Sequence, residues 1–122
     1  MNLLDIKRQA MFHTGHDADD LGDFHPHLTD YINEGYDRLL MAFKGVHADD
    51  SGAYPRLVHD KGEPELPVWA HRALADYAAW MISRNGSLQK QNRGLVLRRA
   101  FEETENRLRM ERGAKRFQNI PC

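Results

Sequence analysis

Residues 13–27 hold a dense group of side chains that could bind a metal, in the sequence HTGHDADDLGDFHPH. Four histidines and four aspartates fall within these fifteen residues. Imidazole and carboxylate groups are common ligands of zinc and calcium in proteins. His13 and His16 are three residues apart, and His25 and His27 are two apart, so either pair could chelate an ion. A metal-dependent enzyme or a metal-stabilised domain is therefore one hypothesis.

The spacing of these side chains does not match an established class of metal site. The HExxH helix of a metalloprotease needs a glutamate that is absent between His13 and His16. Asp17, Asp19 and Asp20 do not form a calcium loop, because no glutamate stands at its twelfth position. Two glycines and a proline in the same stretch favour an exposed polar loop. We expect no metal, cofactor or catalytic residue here.

Other catalytic patterns are also missing from the sequence. The phosphate-binding patterns GxGxxG and GxxxxGK do not occur, and no serine stands in a nucleophile-elbow context. Cys122 is the only cysteine, so a disulfide framework is impossible and an intracellular origin is expected. We therefore expect a protein that is not an enzyme.

The composition is typical of one soluble domain. The chain has 122 residues, with 17 Lys and Arg against 18 Asp and Glu. No apolar run approaches the roughly 18 residues that span a bilayer, and the N-terminus lacks the apolar stretch of a signal peptide. No membrane association is expected.

The overall charge balance hides a difference between the two halves of the chain. Residues 1–60 carry a net charge of −6, whereas residues 61–122 carry +5. An acidic front and a basic back could pack copies of the chain against each other, or the basic end could face nucleic acid. Two ordinary solvated helix faces are the third interpretation.

The first half of the chain contains two segments with helical spacing of apolar residues. The first is predicted at 2–12, with Asn2 as its N-cap. The second, at 27–44, has a wide apolar stripe and ends before Gly45. Gly35 lies within this stripe, where it would let another helix approach closely.

Residues 45–67 form the longest irregular segment and are rich in glycine and proline. A small hairpin could form here around a turn at Asp60, Lys61 and Gly62. A loop of this length in a compact domain is often functional. Its expected apolar anchors are Tyr54, Leu57 and Val58.

The second half of the chain predicts a central core helix and a long final helix. The core helix begins near Pro67, is rich in alanine, and ends at Asn85–Gly86. The final helix is predicted at 87–113, where Gly113 would end it. The predicted fold is all-α: a small bundle of three to four helices with one long loop. The domain is expected at 1–112, followed by an extended C-terminal docking tail at 113–122. The residues expected to hold the core are Tyr31, Ile32, Leu39, Leu74, Tyr77, Trp80 and Phe101.

The last third of the chain is rich in lysine and arginine, which could contact phosphates. Glutamates interrupt this basic region, so no continuous cationic stripe results, and no helix-turn-helix or zinc-finger pattern is present. A small DNA-binding or DNA-packaging accessory module is the alternative that these residues support.

Two segments resemble the head-tail connector proteins of tailed bacteriophages, which are also called adaptor or head-completion proteins. YINEGYDRLLMAF at 31–43 looks like the first core helix of that family. ELPVWAHRALADYAAWMISRNGSLQKQNRG at 65–94 looks like its alanine-rich helix, polar turn and basic final helix. The likeness covers roughly residues 25–110 and is one of helix pattern and composition. The loop at 13–27 is not part of it.

The resemblance implies a structural virion protein at the head-tail junction, present in the host cytoplasm during assembly. Such proteins form a ring, typically dodecameric, beneath the portal after DNA packaging. The implied partners are the portal protein, the stopper or tail-completion protein, other copies of the chain, and passing double-stranded DNA. The residues expected to dock on the portal are Arg107, Arg109, Arg112, Lys115, Arg116, Phe117 and Ile120. The residues expected to make subunit or channel contacts are Asp49, Asp50, Tyr54, Arg56 and His59.

Overall fold

The computed structural model describes residues 1–15, 26–48 and 54–118, and their side chains as far as residue 114. Within these ranges the chain is helical and contains no strand, so the predicted all-α fold is confirmed. No helix among the described residues is both long enough and apolar enough to cross a membrane. The elements are α1 (Leu3–His13), α2 (Leu28–Lys44), a 3₁₀ turn (Val68–Ala70), α3 (His71–Ser83) and α4 (Leu88–Gln118).

Helix α1 begins at the predicted N-cap. The side chain of Asn2 accepts a hydrogen bond from the backbone N–H of Asp5 at 2.9 Å. In return, the Asp5 carboxylate accepts one from the backbone N–H of Asn2 at 3.1 Å. This reciprocal capping box satisfies amides that have no partner within the helix. The helix buries Leu3, Ile6 and Ala10, the apolar face that its spacing predicts.

The expected hairpin around residues 60–62 is wrong, because this turn bonds to a helix end rather than to a second strand. The backbone N–H of Gly62 donates to the carbonyl of His59 at 2.9 Å, which closes the turn. The carbonyls of Gly62 and Asp60 then accept hydrogen bonds from the N–H groups of Leu3 and Leu4, at 2.8 and 3.1 Å. These two amides lie in the first turn of α1 and have no intrahelical acceptor. The turn therefore helps to cap α1.

The extended residues before this turn have no partner strand within the described part of the chain. One side chain, that of Asn33, makes the backbone hydrogen bonds that such a strand would make. The side-chain amide of Asn33 donates to the carbonyl of Leu57 at 2.9 Å and accepts from its N–H at 2.8 Å. Leu57 is buried as expected, and Tyr54 packs half-buried against the core. Val58, the third expected anchor, is 69% exposed, so that assignment is wrong.

Helix α3 is the centre of the bundle, as predicted, and contacts each of the other three helices. Its small alanine side chains, among them Ala75 and Ala78, are completely buried and allow close packing. Two expected core aromatics, Tyr31 and Trp80, are half-buried and pack against the core from its edge. The other expected core residues are buried, and these are Ile32, Leu39, Leu74, Tyr77 and Phe101.

Helices α2 and α3 approach each other closely at Gly35, as the sequence predicts. A Cβ atom at this position would lie 3.1 Å from two ring carbons of Tyr77. The other end of α2 stops at Gly45, which adopts a left-handed conformation with φ of 71°. Both glycines are therefore required by geometry.

The predicted end of the final helix at Gly113 is wrong, because α4 continues to Gln118. A glycine inside a helix costs only about 1 kcal/mol relative to alanine. The residues that follow Gly113 are alanine, lysine and arginine, which are good helix formers. Residues 119–122 lie outside the described part of the chain, and the docking role of the tail remains a prediction.

Replacing Gly35 with alanine is expected to lower the free energy of unfolding by about 1 kcal/mol. Overpacking against the Tyr77 ring costs roughly 1–3 kcal/mol, and the higher helix propensity of alanine returns about 1 kcal/mol. The matched control is Gly113→Ala in α4, where no atom lies within 4 Å of the new Cβ. The control should raise stability by up to about 1 kcal/mol. Urea unfolding followed by circular dichroism measures both changes, and a stabilising Gly35→Ala would contradict the close approach.

Candidate protein-interaction surfaces

The position of α4 is fixed by an ion pair across the bundle. The Arg38 guanidinium donates two hydrogen bonds of 3.0 Å to the carboxylate of Glu105, a side chain only 12% exposed. The same guanidinium lies over the Phe101 ring at 4.9 Å and the Tyr77 ring at 5.7 Å. Burial lowers the pKa of Arg38, but the hydrogen bonds and charge of Glu105 outweigh burial and raise that pKa. Arg38 therefore stays charged and holds α2 against α4.

Helix α4 has apolar residues on two opposite sides. The inner side contacts the core through Gly94, Phe101 and Leu108, which are seven residues apart and buried. At seven-residue spacing, side chains return to nearly the same face of a helix. The apolar residues on the other side are Leu88, Leu95, Val96 and Met110, which are 73, 54, 68 and 74% exposed.

These four exposed apolar residues, together with Arg99 among them, form a surface that we name the outer face of α4: Leu88, Leu95, Val96, Arg99 and Met110. At about 100° per residue, the five positions fall within roughly 100° of the helix circumference. Scattered exposed apolar residues are normal on protein surfaces, whereas several on one face of one helix are typical of a surface that binds another protein.

The first half of α4 is strongly basic, but its charges point in different directions. Residues 88–101 contain four basic residues and no acidic residue. Lys90 and Arg93 border a cavity of about 290 Å³ between α4 and the C-terminal ends of α1 and α3. Arg98 lies over the Trp80 ring at 5.4 Å and pairs with a neighbouring glutamate. Arg99 is the base that lies on the outer face, so the helix does not present a uniform cationic stripe.

A second surface lies between α2 and the segment 54–58, and we name it the acidic groove. Three carboxylates of α2 line it at spacings of four and three residues, and the basic side chains in it are His47 and Arg56. Its remaining side chains include Leu57, which is buried, and Val58, which is exposed. The carboxylates that give the groove its charge are Asp30, Glu34 and Asp37.

Two of the three carboxylates are held by contacts within the chain. The Asp37 carboxylate lies 3.0 Å from the His47 ring and accepts a 2.9 Å hydrogen bond from the Ala48 N–H. Glu34 accepts a hydrogen bond from the Tyr77 hydroxyl at 3.2 Å. Burial, followed by the charge of Glu34, raises the pKa of Tyr77, so its hydroxyl remains a donor. The third carboxylate, Asp30, is 79% exposed, and the His27 ring lies 3.9 Å from it.

The structure does not bring the predicted portal-docking arginines together in one patch. Arg107 stacks on the Trp69 ring at 3.8 Å. Arg112 instead donates to the backbone carbonyl of Met41 at 3.1 Å, across the bundle. Arg109 points to a third side and donates to a neighbouring asparagine at 3.1 Å. The other predicted docking residues lie beyond the described side chains: Lys115, Arg116, Phe117 and Ile120.

The residues predicted to make subunit or channel contacts lie in different parts of the structure. Arg56 is exposed and lines the acidic groove. His59 is exposed in the turn that caps α1. Tyr54 is half-buried against the core. Asp49 and Asp50 lie outside the described residues.

The described part of the chain contains no group of three histidine, cysteine, aspartate or glutamate side chains that could hold a metal ion. His13 Nε2 lies 3.2 Å from a carboxylate oxygen of Asp76, which is a contact between α1 and α3. It also lies 3.2 Å from the Gln9 amide, within α1. Residues 16–25, with most of the candidate ligands, lie outside the described ranges.

The two apolar sides of α4 were not distinguished from the sequence. Leu97, Phe101 and Leu108 share one side, whereas Leu88 and Leu95 share the other. Plotting the positions at 100° per residue would have separated the two groups. The acidic groove was less accessible to sequence reasoning, because it combines α2 with a segment more than twenty residues later.

Comparison with protein-family models, with curated proteins and with solved structures found no match for this chain. The described residues form a small all-α protein with an exposed apolar helix face and a separate acidic groove.

Replacing Glu105 with glutamine is expected to lower the free energy of unfolding by about 1–2 kcal/mol. The change removes the charge from a two-bond contact between α2 and α4, and the partial exposure of Arg38 reduces the cost. The control is Glu102→Gln, which removes the partner of Arg98 in an exposed pair four residues apart on α4. This control should cost no more than about 0.5 kcal/mol. Equal losses in thermal or urea unfolding would contradict the role of Glu105.

Proposed function

We propose that this chain is a structural head-tail connector of a tailed bacteriophage. It assembles as a ring beneath the portal and provides the platform on which the stopper and tail attach. The observation that carries the proposal is the outer face of α4, an apolar surface that is exposed in the part of the chain that the structure describes. Such a surface is expected where another protein binds.

The fold also supports the proposal through the segments that carry the family resemblance. Residues 31–43 lie within α2, and residues 65–94 run from before the 3₁₀ turn through α3 into α4. These segments make the tight contact between Gly35 and Tyr77. The two segments that resemble the family therefore form the packed centre of the bundle.

The length of α4 supports portal docking by its C-terminal end. Leu108 is the last residue of α4 that is buried in the core, and the helix continues for ten residues to Gln118. Ten helical residues extend about 15 Å. Arg112 still contacts α2 through the Met41 carbonyl. The residues after it carry bases at Lys115 and Arg116 and would reach a partner at the head-tail junction without disturbing the core.

The alternative function, a DNA-binding or DNA-packaging accessory module, is supported by the four bases at 88–101. The different directions of these four side chains favour the connector over a DNA-binding module. Arg98 is paired with Glu102, and Lys90 and Arg93 border a cavity. In the connector these bases would contact passing DNA without sequence specificity. A primary DNA-binding module would instead bind duplex DNA alone, with an affinity that falls steeply as salt rises.

Deleting residues 113–122 should leave the helical domain folded and abolish binding to the cognate portal. The fold should survive because α4 contacts the core through residues before 113, with Leu108 the last buried one. Circular dichroism checks the fold, and co-sedimentation with the portal ring measures binding. The exposed charge reversal Arg8→Glu on α1 serves as a control that should still bind. Portal binding by the deletion variant at the strength of the full chain would contradict the assignment of the tail.

A further inference from the structure

We propose that the outer face of α4 packs into the acidic groove of a second copy of this chain. The inference rests on the proposed connector function, since it names the partner that covers the outer face. It also assigns the two halves of α4 different tasks. The first half contacts the neighbouring subunit, and the projecting second half is left for the portal.

Charge complementarity favours this pairing. Residues 28–37 of α2 contain three acids and no base, and residues 88–101 of α4 contain four bases and no acid. Asp30 and Glu34 are exposed at the groove, and Arg99 is exposed at the centre of the outer face. His47 and Arg56 are the basic side chains in the groove, and the His47 ring already lies 3.0 Å from the Asp37 carboxylate. The groove therefore attracts a basic helix.

Both surfaces also carry apolar side chains that the single chain leaves in solvent. Val58 is 69% exposed in the groove, beside the buried Leu57. Val96 and Leu95 are 68 and 54% exposed on the outer face. Burying these side chains in an interface removes apolar surface from water and so stabilises the contact. An interface with an apolar centre and complementary charges at its rim is typical of stable protein contacts.

The pairing of two outer faces with each other is the competing arrangement, because Glu103 is exposed beside Met110 and offers Arg99 of a second copy an opposite charge. That arrangement uses no residue of the acidic groove, so substitutions in the groove would leave it intact. The acidic groove and the outer face are different surfaces of one chain. Their contact is therefore heterologous, and repeated contacts of this kind close into a ring or extend into a filament.

The test uses two double variants whose substituted residues are all exposed. The groove variant is Asp30→Arg with Val58→Arg, which places bases in the groove. The face variant is Val96→Glu with Arg99→Glu, which places acids on the outer face. The control is the exposed charge reversal Arg8→Glu on α1. Circular dichroism confirms the fold of each variant, and sedimentation velocity measures assembly with and without the cognate portal ring.

The unchanged chain and the control should assemble, whereas each double variant alone should remain monomeric. An equimolar mixture of the two variants should assemble again. The groove variant retains an intact outer face and the face variant retains an intact groove, so one native contact forms, and the two altered surfaces are also complementary in charge. Only a heterologous contact between these two surfaces predicts this result.

Assembly of either double variant on its own would overturn the inference, as would a mixture that stays monomeric. A monomeric unchanged chain, with and without the portal, would overturn it too. The proposed function is judged separately, by portal binding. If the unchanged chain and both variants bind the portal equally while each variant still assembles on its own, the connector function stands and the subunit contact is refuted. If the unchanged chain neither binds the portal nor self-associates, both proposals fail.

Discussion

The bundle depends on one cluster in which α2, α3 and α4 meet. The Tyr77 ring packs against the backbone of Gly35 on one side and lies 4.9 Å from the Phe101 ring on the other. Arg38 covers both rings and is held in place by Glu105. This arrangement combines aromatic packing with a charge-assisted contact between helices. Because it fixes the rotation of α4 about its own axis, it also determines which side of that helix faces solvent.

Most helix limits could be predicted because they depend on local chemistry. Asn2 caps α1 and Gly45 ends α2 as the sequence indicates. The errors arise where tertiary contacts replace local rules. The hairpin was wrong because the side chain of Asn33 and the first amides of α1 take the hydrogen bonds that a second strand would have made. Gly113 does not end α4, because its cost of about 1 kcal/mol is small beside the propensity of its neighbours.

The interaction surfaces were predictable only in part. The difference in charge between the halves of the chain is visible in the sequence, and it indicates complementary surfaces. The sequence does not show that Asp30 and Val58 line the same groove, because that requires the fold of the segment between α2 and α3. The predicted docking residues Arg107 and Arg112 could not be separated by sequence from structural ones, and both make contacts within the chain.

The central claim is that this chain is built to be covered by other copies of itself and by a portal. Light scattering coupled to size-exclusion chromatography tests it most directly, over a range of concentrations and with and without the cognate portal. The account predicts a ring-sized species, or a complex that migrates with the portal. A strict monomer that ignores the portal at every concentration would contradict it.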